Sequence, residues 1–337
     1  MKKILCFGEA LIDFLNTGKA SQGPLALNDF RQYPGGAPAN AAVAVAGLGG
    51  RAFFAGQVGQ DPFGDFLQQA LQAYGVDTRY LCRHPSAKTA LAFVMLDGAG
   101  ERSFSFYRQD SADLLFDATS MGDDCFEAGG ILHICSNTLT TEAIAKTTQD
   151  LVARAKTAGN LVSFDVNLRH NLWASGQADR QRVNALVQQA DMVKFSKEEL
   201  DYLSQGKTRQ YLDHCLAKGC QLLLVTDGPG AIQYHCRAGS GEVSPPKVQA
   251  VDTTAGGDAF IGGVLYALGC LEDSVAALND PKQLESILTL ASHCGAHAVM
   301  RPGAFPALPD LPGLAAQLNE HGLATEQFHP AFFRSLV

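Results

Sequence analysis

The chain has 337 residues, of which 46% are hydrophobic and 18% charged, with a formal net charge of −8. This is a globular composition with a sizeable core, long enough for one large α/β domain or two ordinary ones. No Lys/Arg run marks a surface that tracks phosphates, so nucleic acid is not an expected partner.

No stretch approaches the ~20 apolar residues of a membrane span, and Ile4–Phe7 is too short for a signal peptide's apolar region. The nine cysteines are scattered, with no Cys-x-x-Cys pair, and fit free thiols in a reducing cytoplasm. Ile4–Phe7 instead predicts a first buried strand. Residues from about 10 to 33 then look like short alternating strands with no helix between. Helical periodicity follows over Ala39–Leu48 and Phe63–Tyr74. A second strand-only region, about 88 to 108, places Thr89–Leu96 and Ser103–Tyr107 in a hairpin around Asp97–Gly100.

Strands and helices alternate from there: strand Ile131–Ile134, helix Glu142–Ala158, strand Leu161–Phe164, helix Arg180–Gln189, strand Met192–Phe195, helix Gln210–Lys218 and strand Leu222–Val225. Two long helices follow, Gly257–Leu268 and Pro281–Met300. The alternation predicts βα units and a largely parallel sheet. The two strand-only regions predict a small β-sheet lid attached to the α/β body, so residues 1–337 are expected to form a single domain. Lid aromatics would cover a substrate or meet a partner subunit, which makes a homodimer through the lid a further expectation. The tail from about 312 carries little signal.

Open α/β sheets place their ligands at strand carboxyl ends. Asp13 lies just past the first strand, where a carboxylate accepts well from sugar hydroxyls. Gly35 and Gly36 form a turn before a small-residue helix, and the amide of Asn40 in its first turn would both donate to and accept from vicinal hydroxyls. Asp165-Val166-Asn167-Leu168-Arg169 follows a buried strand; Arg169 is suited to phosphate and Asn167 to nucleotide phosphates or metal-bound water. Lys194-Phe195-Ser196-Lys197-Glu198-Glu199 repeats the logic, with Glu199 the candidate for organising Mg²⁺ through water. Thr226-Asp227-Gly228-Pro229-Gly230 is a turn suited to lying against a nucleotide. Singly, each has a local explanation as a cap, a turn or an acidic first helical turn; their convergence at one edge carries the weight. His293 and His297 have metal-like spacing, but on an apolar helix without a carboxylate a core role suffices.

The most informative stretch is Asp252-Thr253-Thr254-Ala255-Gly256-Gly257-Asp258-Ala259-Phe260. Two glycines at a helix entrance let the backbone approach a bound group closely, and the N–H groups of a helix start favour negative charge. Asp258 follows directly. An anion cradle beside a carboxylate suits phosphoryl transfer: amides hold the phosphate and Asp258 meets an incoming hydroxyl. No Gly-x-x-x-x-Gly-Lys-Ser/Thr loop occurs, so ATP chemistry here is not of the P-loop type.

PGGAPANAAVAVAGLGG at 34–50 and VDTTAGGDAF at 251–260 resemble the two signatures of the ribokinase-type (PfkB) carbohydrate kinases. GERSFSFYRQDSADLLF at 100–116, FDVNLRHNLW at 164–173 and RPGAFPALP at 301–309 resemble the fructokinases among them. The resemblance covers roughly 3 to 309. It implies a three-layer α/β/α sandwich with a β-lid, using ATP and Mg²⁺. It makes Asp258 the catalytic base, the amides of Ala255, Gly256 and Gly257 the anion hole, and Asp13, Gly35, Gly36 and Asn40 sugar contacts. Phe106 and Arg108 join the substrate-binding set, and Arg169 the catalytic set. Asn167, Lys194, Ser196, Glu199, Thr226, Gly228, Gly230, Gly256 and Ser292 form the nucleotide-binding set. An activating monovalent cation such as K⁺ would lie near Asp252, Thr254, Ala298, Arg301 and Gly303. Two positions depart from the family pattern. The usual Gly-Ala-Gly-Asp reads Ala-Gly-Gly-Asp, and Ser196 replaces the common Asn.

The expectation is therefore an ATP-dependent kinase acting on a sugar primary hydroxyl, D-fructose first. An ordinary Asp pKa near ~4 would leave Asp258 ionised at neutral pH. Inside the family, 2-keto-3-deoxygluconate kinase and riboside kinase are the alternatives, the former with Arg108 meeting the acid's carboxylate. Outside it stands a catalytically silent sugar sensor.

Overall fold

A computed structural model describes residues 1–96 and 102–336. In chain order the first elements are β1 (Lys3–Phe7), β2 (Leu11–Gln22), β3 (Leu25–Gly35), α1 (Ala37–Gly47), β4 (Arg51–Gly59), α2 (Pro62–Ala73), β5 (Asp77–His84), β6 (Leu91–Leu96) and β7 (Arg102–Tyr107). Then come β8 (Ile131–Cys135), α3 (Glu142–Thr157), β9 (Leu161–Asp165), α4 (Arg180–Val187), β10 (Met192–Ser196), α5 (Lys197–Ser204), α6 (Thr208–Ala217) and β11 (Leu222–Thr226). The last are β12 (Ile232–Cys236), β13 (Gly239–Val243), α7 (Gly256–Cys270), α8 (Ser274–Ala277), α9 (Pro281–Val299) and α10 (Leu311–Glu320).

β1, β8 and β9 are buried at every position, because successive side chains of a strand point to opposite faces and both faces here are covered. These strands belong to a nine-stranded sheet of order β13-β12-β11-β10-β9-β8-β1-β4-β5, parallel from β11 to β5, with β12 and β13 added antiparallel at one edge. One core packs α1, α7 and α9 on one face, and the other packs α3 to α6 on the opposite face. The result is a helix–sheet–helix sandwich.

β2, β3, β6 and β7 form a separate four-stranded sheet of order β3-β2-β6-β7. They fall in the two regions where helical periodicity was absent; the predicted turn at 97–100 lies outside the described residues. β4, β5 and the β12–β13 hairpin are additions to the strands expected from the sequence. β4 carries Gly56 and Gly59, which mimic turn signals, and β5 is an edge strand that carries Arg79, stacked over Phe53, and Arg83, bonded to Asp65 and Gln68 of α2. Helices α5 and α10 were likewise not separated from their surroundings. Among the described residues no helix is long and apolar enough to cross a membrane.

Candidate active site

Between β8 and β1 the strand order reverses: the chain proceeds from β1 toward β4 on one side and from β8 toward β9 on the other. Such a switch point opens a crevice outside the strand carboxyl ends. The cleft there has a volume of about 500 Å³, open to solvent, and its wall includes Glu9 after β1, Asn137 after β8, and Asn167 and Arg169 after β9. Asp13 from β2, Gly36 and Asn40 at the start of α1, Phe106 and Arg108 at the end of β7, and Thr254 and Asp258 around the start of α7 complete it.

Close helix packing brings α1 and α7 to this point. A Cβ on Gly262 would stand 2.5 Å from Ala44 Cβ, so glycine there lets the two helices approach. Gly36, with φ 107°, turns the chain into α1, and any side chain on it would run into the Glu9 carbonyl. Asn40 then donates from Nδ2 to Asp258 Oδ2 at 2.7 Å, while Asn167 Nδ2 lies 3.5 Å from Oδ1. Asn167 itself adopts a left-handed φ of 36° after β9.

Asp258 is buried, with 7% of its surface exposed. Burial pushes its carboxyl up to about 7; the Asn40 hydrogen bond opposes the rise and Asp165 adds to it. The ordinary value near ~4 expected from sequence is thus corrected: water is excluded from this carboxylate. Asp13, half-buried on the facing wall, is likewise raised to about 7, by desolvation first and then by the charges of Asp258 and Asp252.

Two cleft residues escaped the sequence reading. Glu9 is 2% exposed and accepts from Asn137 Nδ2 at 2.9 Å and Ala37 N at 3.3 Å. Asn137 follows β8 as Glu9 follows β1, and the strand-end rule that selects Asp13 would have selected both. Arg108 Nε donates to Asp113 Oδ2 at 2.7 Å and its Nη2 to the Asn137 carbonyl at 3.0 Å, both inside the protein. Three buried polar atoms on cleft residues have no partner among the described residues: Asn40 Oδ1, Asn137 Oδ1 and Arg108 Nη1. Two acceptors and one donor, desolvated and aimed at no protein group, suit a polyhydroxyl ligand.

On the other side of Asp258 lie the strand ends of β10 and β11. Ser196 caps α5 by accepting from Glu199 N at 3.2 Å, and Glu199 Oε2 accepts from Ser196 N at 2.7 Å, a reciprocal capping box. Glu199 Oε1 accepts from Leu168 N at 2.8 Å, which ties the end of β9 to α5. Thr226 Oγ1 donates to the Phe195 carbonyl at 3.3 Å, Gly228 takes φ 52°, and Gly230 N closes the turn on the Asp227 carbonyl at 2.7 Å. Lys194 is buried against Asp165 at 3.1 Å. Arg169 is exposed at the cleft mouth. Ser292, like Lys194, Ser196 and Glu199, lies outside the wall of this cleft; its hydroxyl donates to the Thr289 carbonyl at 2.8 Å within α9.

Around Asp252 the loop folds on itself, with Thr254 N and Gly303 N each 2.9 Å from a carboxylate oxygen. The Ala298 carbonyl already accepts from Met300 N and from Arg301 N, the latter at 3.2 Å. Val251 N and Asp252 N both donate to the Val299 carbonyl, so Asp252, Thr254 and Gly303 come together at the C-terminal end of α9, where Ala298 and Arg301 also lie.

The Ala255-Gly256-Gly257-Asp258 turn has a packing counterpart. A Cβ on Gly256 would stand 2.6 Å from Val299 Cγ1, whereas the Ala255 methyl is buried in the core. Val299 fills the space that an alanine at 256 would need.

Residues 1–311 match the model of the pfkB family carbohydrate kinases. The probable fructokinase-6, chloroplastic, of Arabidopsis thaliana is 40% identical over 313 residues, covering 91% of this chain and 79% of the relative. Among solved structures, fructokinase with bound ATP from Xylella fastidiosa is 44% identical with a TM-score of 0.88, covering 96% of this chain and 100% of that one. Fructokinase from Vibrio cholerae O395, in its fructose, ADP and calcium ion bound form, is 35% identical with a TM-score of 0.83, covering 94% and 99%. A family match of this extent, with relatives of this identity across nearly the whole chain, means that the protein belongs to the pfkB family of carbohydrate kinases and is a phosphotransferase with an alcohol acceptor.

Proposed function

We propose that the protein transfers the γ-phosphoryl group of ATP to a primary hydroxyl of D-fructose, with Asp258 as general base. The observation that carries this reading is the position of Asp258: buried in the first turn of α7, bonded to Asn40, and facing a cleft whose unpartnered atoms suit hydroxyls. Sugar lies against Asp13, Gly35, Gly36 and Asn40, with Glu9 and Asn137 behind it, Phe106 as the apolar cover and Arg108 at the same wall. The β2, β3, β6 and β7 sheet, which supplies Phe106, acts as the lid of a single kinase domain. The sugar oxygen bonds to the γ-phosphorus, its proton passes to Asp258, and the bond to the departing ADP oxygen breaks.

Charge favours a neutral sugar over an acid one. Glu9, Asp13 and Asp258 all face the cleft, and Arg108 is already engaged by Asp113 at 2.7 Å. A 2-keto-3-deoxy sugar acid would add a carboxylate to this set, with exposed Arg169 and the one unpartnered nitrogen of Arg108 to meet it. The bound fructose of the Vibrio cholerae relative supports the same choice.

The amides of Ala255, Gly256 and Gly257 form the anion hole for the phosphoryl group. Asn167, Lys194, Ser196, Glu199, Thr226, Gly228, Gly230 and Ser292 form the ATP side; the ATP bound to the Xylella relative supports the choice of nucleotide. Glu199 fits Mg²⁺ through water, since its bonds to Leu168 N and Ser196 N fix the carboxylate without using all its acceptor capacity. Mg²⁺, when bound, neutralises charge on the phosphates. A monovalent cation would be held by the Asp252, Thr254 and Gly303 loop.

ADP release measured with ATP and Mg²⁺ across fructose, 2-keto-3-deoxygluconate, ribose and a purine riboside, with and without K⁺, tests the assignment. Fructose is expected to give the highest kcat/KM. A higher value on any other member overturns the sugar choice, and fructose binding without ADP release would make the protein a sensor.

A further inference from the structure

Asp61 accepts more hydrogen bonds than a helix cap needs. It is the N-cap of α2, and its Oδ1 accepts from Gly64 N at 2.9 Å, which satisfies one free N–H of the first turn. The same oxygen also accepts from Thr89 Oγ1 at 2.7 Å, and Oδ2 accepts from Thr89 N at 2.9 Å. Thr89 Oγ1 in turn accepts from Gly59 N, the last residue of β4, at 3.0 Å. Thr89 is 4% exposed and stands two residues before β6. One carboxylate therefore ties together the end of β4, the start of α2 and the chain as it enters the lid. Gly59 keeps the knot tight: a Cβ there would collide with Asp61 Oδ2 and Thr89 N. Burial pushes the Asp61 carboxyl up, but the bonds from Thr89 N, Gly64 N and Thr89 Oγ1 outweigh it and hold it below the usual carboxylate range. The clasp thus stays ionised where Asp13 and Asp258 titrate.

Thr89 leads into the middle of the lid. Asp13 of β2, Ala92 of β6 and Phe106 of β7 pair in register across three strands, and Asp13 and Phe106 face the cleft. Phe106 packs against a small core of Leu11, Ala90 and Ala92, separate from the two cores of the sandwich. Side chains alternate along a strand, so the next row, Phe14 and Phe93, faces the other way. There Phe14 stacks on Phe93 at 5.0 Å and meets Phe63, two residues past Asp61, edge-on at 5.8 Å. The first turn of α2 holds the lid twice, by Asp61 at the root of β6 and by Phe63 on the back of β2.

We propose that Asp61, which lies outside the cleft wall, is a positioning residue for the sugar. Its clasp on Thr89 fixes where β6 leaves the body, and so where the Asp13–Ala92–Phe106 row stands over the cleft. This rests on the reading of that row as the sugar's cover given above. Asp61 acts through Thr89 and β6, so its effect falls on sugar binding and spares the nucleotide side. The carboxylate is needed as such: either way round, an amide would set its NH₂ against a backbone N–H, of Gly64 or of Thr89.

The experiment compares Asp61→Asn, Thr89→Val and Thr89→Ser by kcat, KM for sugar and for ATP, sugar Kd by calorimetry, and Tm. Each is read on whichever sugar the wild-type protein binds best. Asp61→Asn is expected to raise sugar KM and Kd about 10-fold or more, with ATP KM little changed. Thr89→Val keeps the backbone bond but loses the hydroxyl, and is expected to raise them by a smaller factor. Thr89→Ser keeps both bonds and is expected to stay near wild type. A folded Asp61→Asn protein with wild-type sugar KM and Kd would overturn the proposal, as would equal rises in sugar and ATP KM, the mark of general loosening. Should Asp61→Asn not fold, equal sugar Kd in Thr89→Val and Thr89→Ser would overturn it. A wild-type preference for another sugar overturns only the fructose choice. Sugar binding without turnover overturns only the kinase reading, because sugar Kd still reads the clasp.

Discussion

At the scale of single residues, the environment of Asp258 sets a pH dependence that the residue's identity does not. A base raised to about 7 is only half ionised at neutral pH. On the proposed mechanism kcat/KM for the sugar rises with pH through a midpoint near 7 and levels off above it. Asp13, also near 7, interacts with Asp258, so the measured midpoint belongs to the pair. A profile already flat below pH ~6 would contradict the environment described. The departure at Gly256 gives a second test. Gly256→Ala places a methyl 2.6 Å from Val299 Cγ1 and is expected to cost about 1–3 kcal/mol of stability and much of the activity. Val299→Ala on the same background should recover most of both, and thermal unfolding with kcat for the four proteins of the cycle reads the coupling. Most residues around the cleft were legible because polar residues at strand ends are rare and conspicuous in an apolar chain. Glu9 and Asn137 stand at strand ends by the same rule as Asp13, but only the strand order that sets β8 beside β1 gives them a common wall.

At the scale of elements, the site depends on how closely α1 and α7 pack. Gly262 admits Ala44 from α1, and Gly263 admits the backbone of α9, whose Ala291 Cα would stand 2.9 Å from a Cβ there. Gly262→Val is expected to push α1 outward, at about 1–3 kcal/mol in stability, and to raise the sugar KM more than it lowers kcat, since Asn40 rides on α1. Unchanged KM in a folded Gly262→Val protein would show that Asn40 is placed independently of this contact. The same glycines explain what periodicity could and could not give. α7 is apolar nearly all round and α9 over its C-terminal half, which marks them as buried helices, and their extents were legible to within two or three residues. β4 and β5 were missed because glycines and edge-strand charges break the pattern that a buried strand shows. The four-stranded sheet was legible from the absence of helical periodicity.

At the scale of the whole molecule, the carboxylates clustered at the switch point act on stability. Asp258, Asp13 and Asp165 are all raised, the last to about 6 by burial against the pull of Lys194. A raised carboxyl stabilises the fold below its unfolded pKa near ~4, and that contribution is lost as pH rises through the folded value. These groups therefore weigh against the folded state between about pH 4 and 7 and more fully above it. Asp258→Asn is expected to unfold at higher temperature than wild type at pH 8, by on the order of 2 kcal/mol, with the gap closing toward pH 5. Equal stability at both pH values would show that Asp258 is not held against its own ionisation. The whole account turns on Asp258 accepting the sugar proton, so the most direct measurement is kcat for Asp258→Ala beside its fructose Kd by calorimetry. The account predicts a kcat lower by about 10²–10⁴-fold with Kd little changed; near-wild-type turnover in that variant would contradict it.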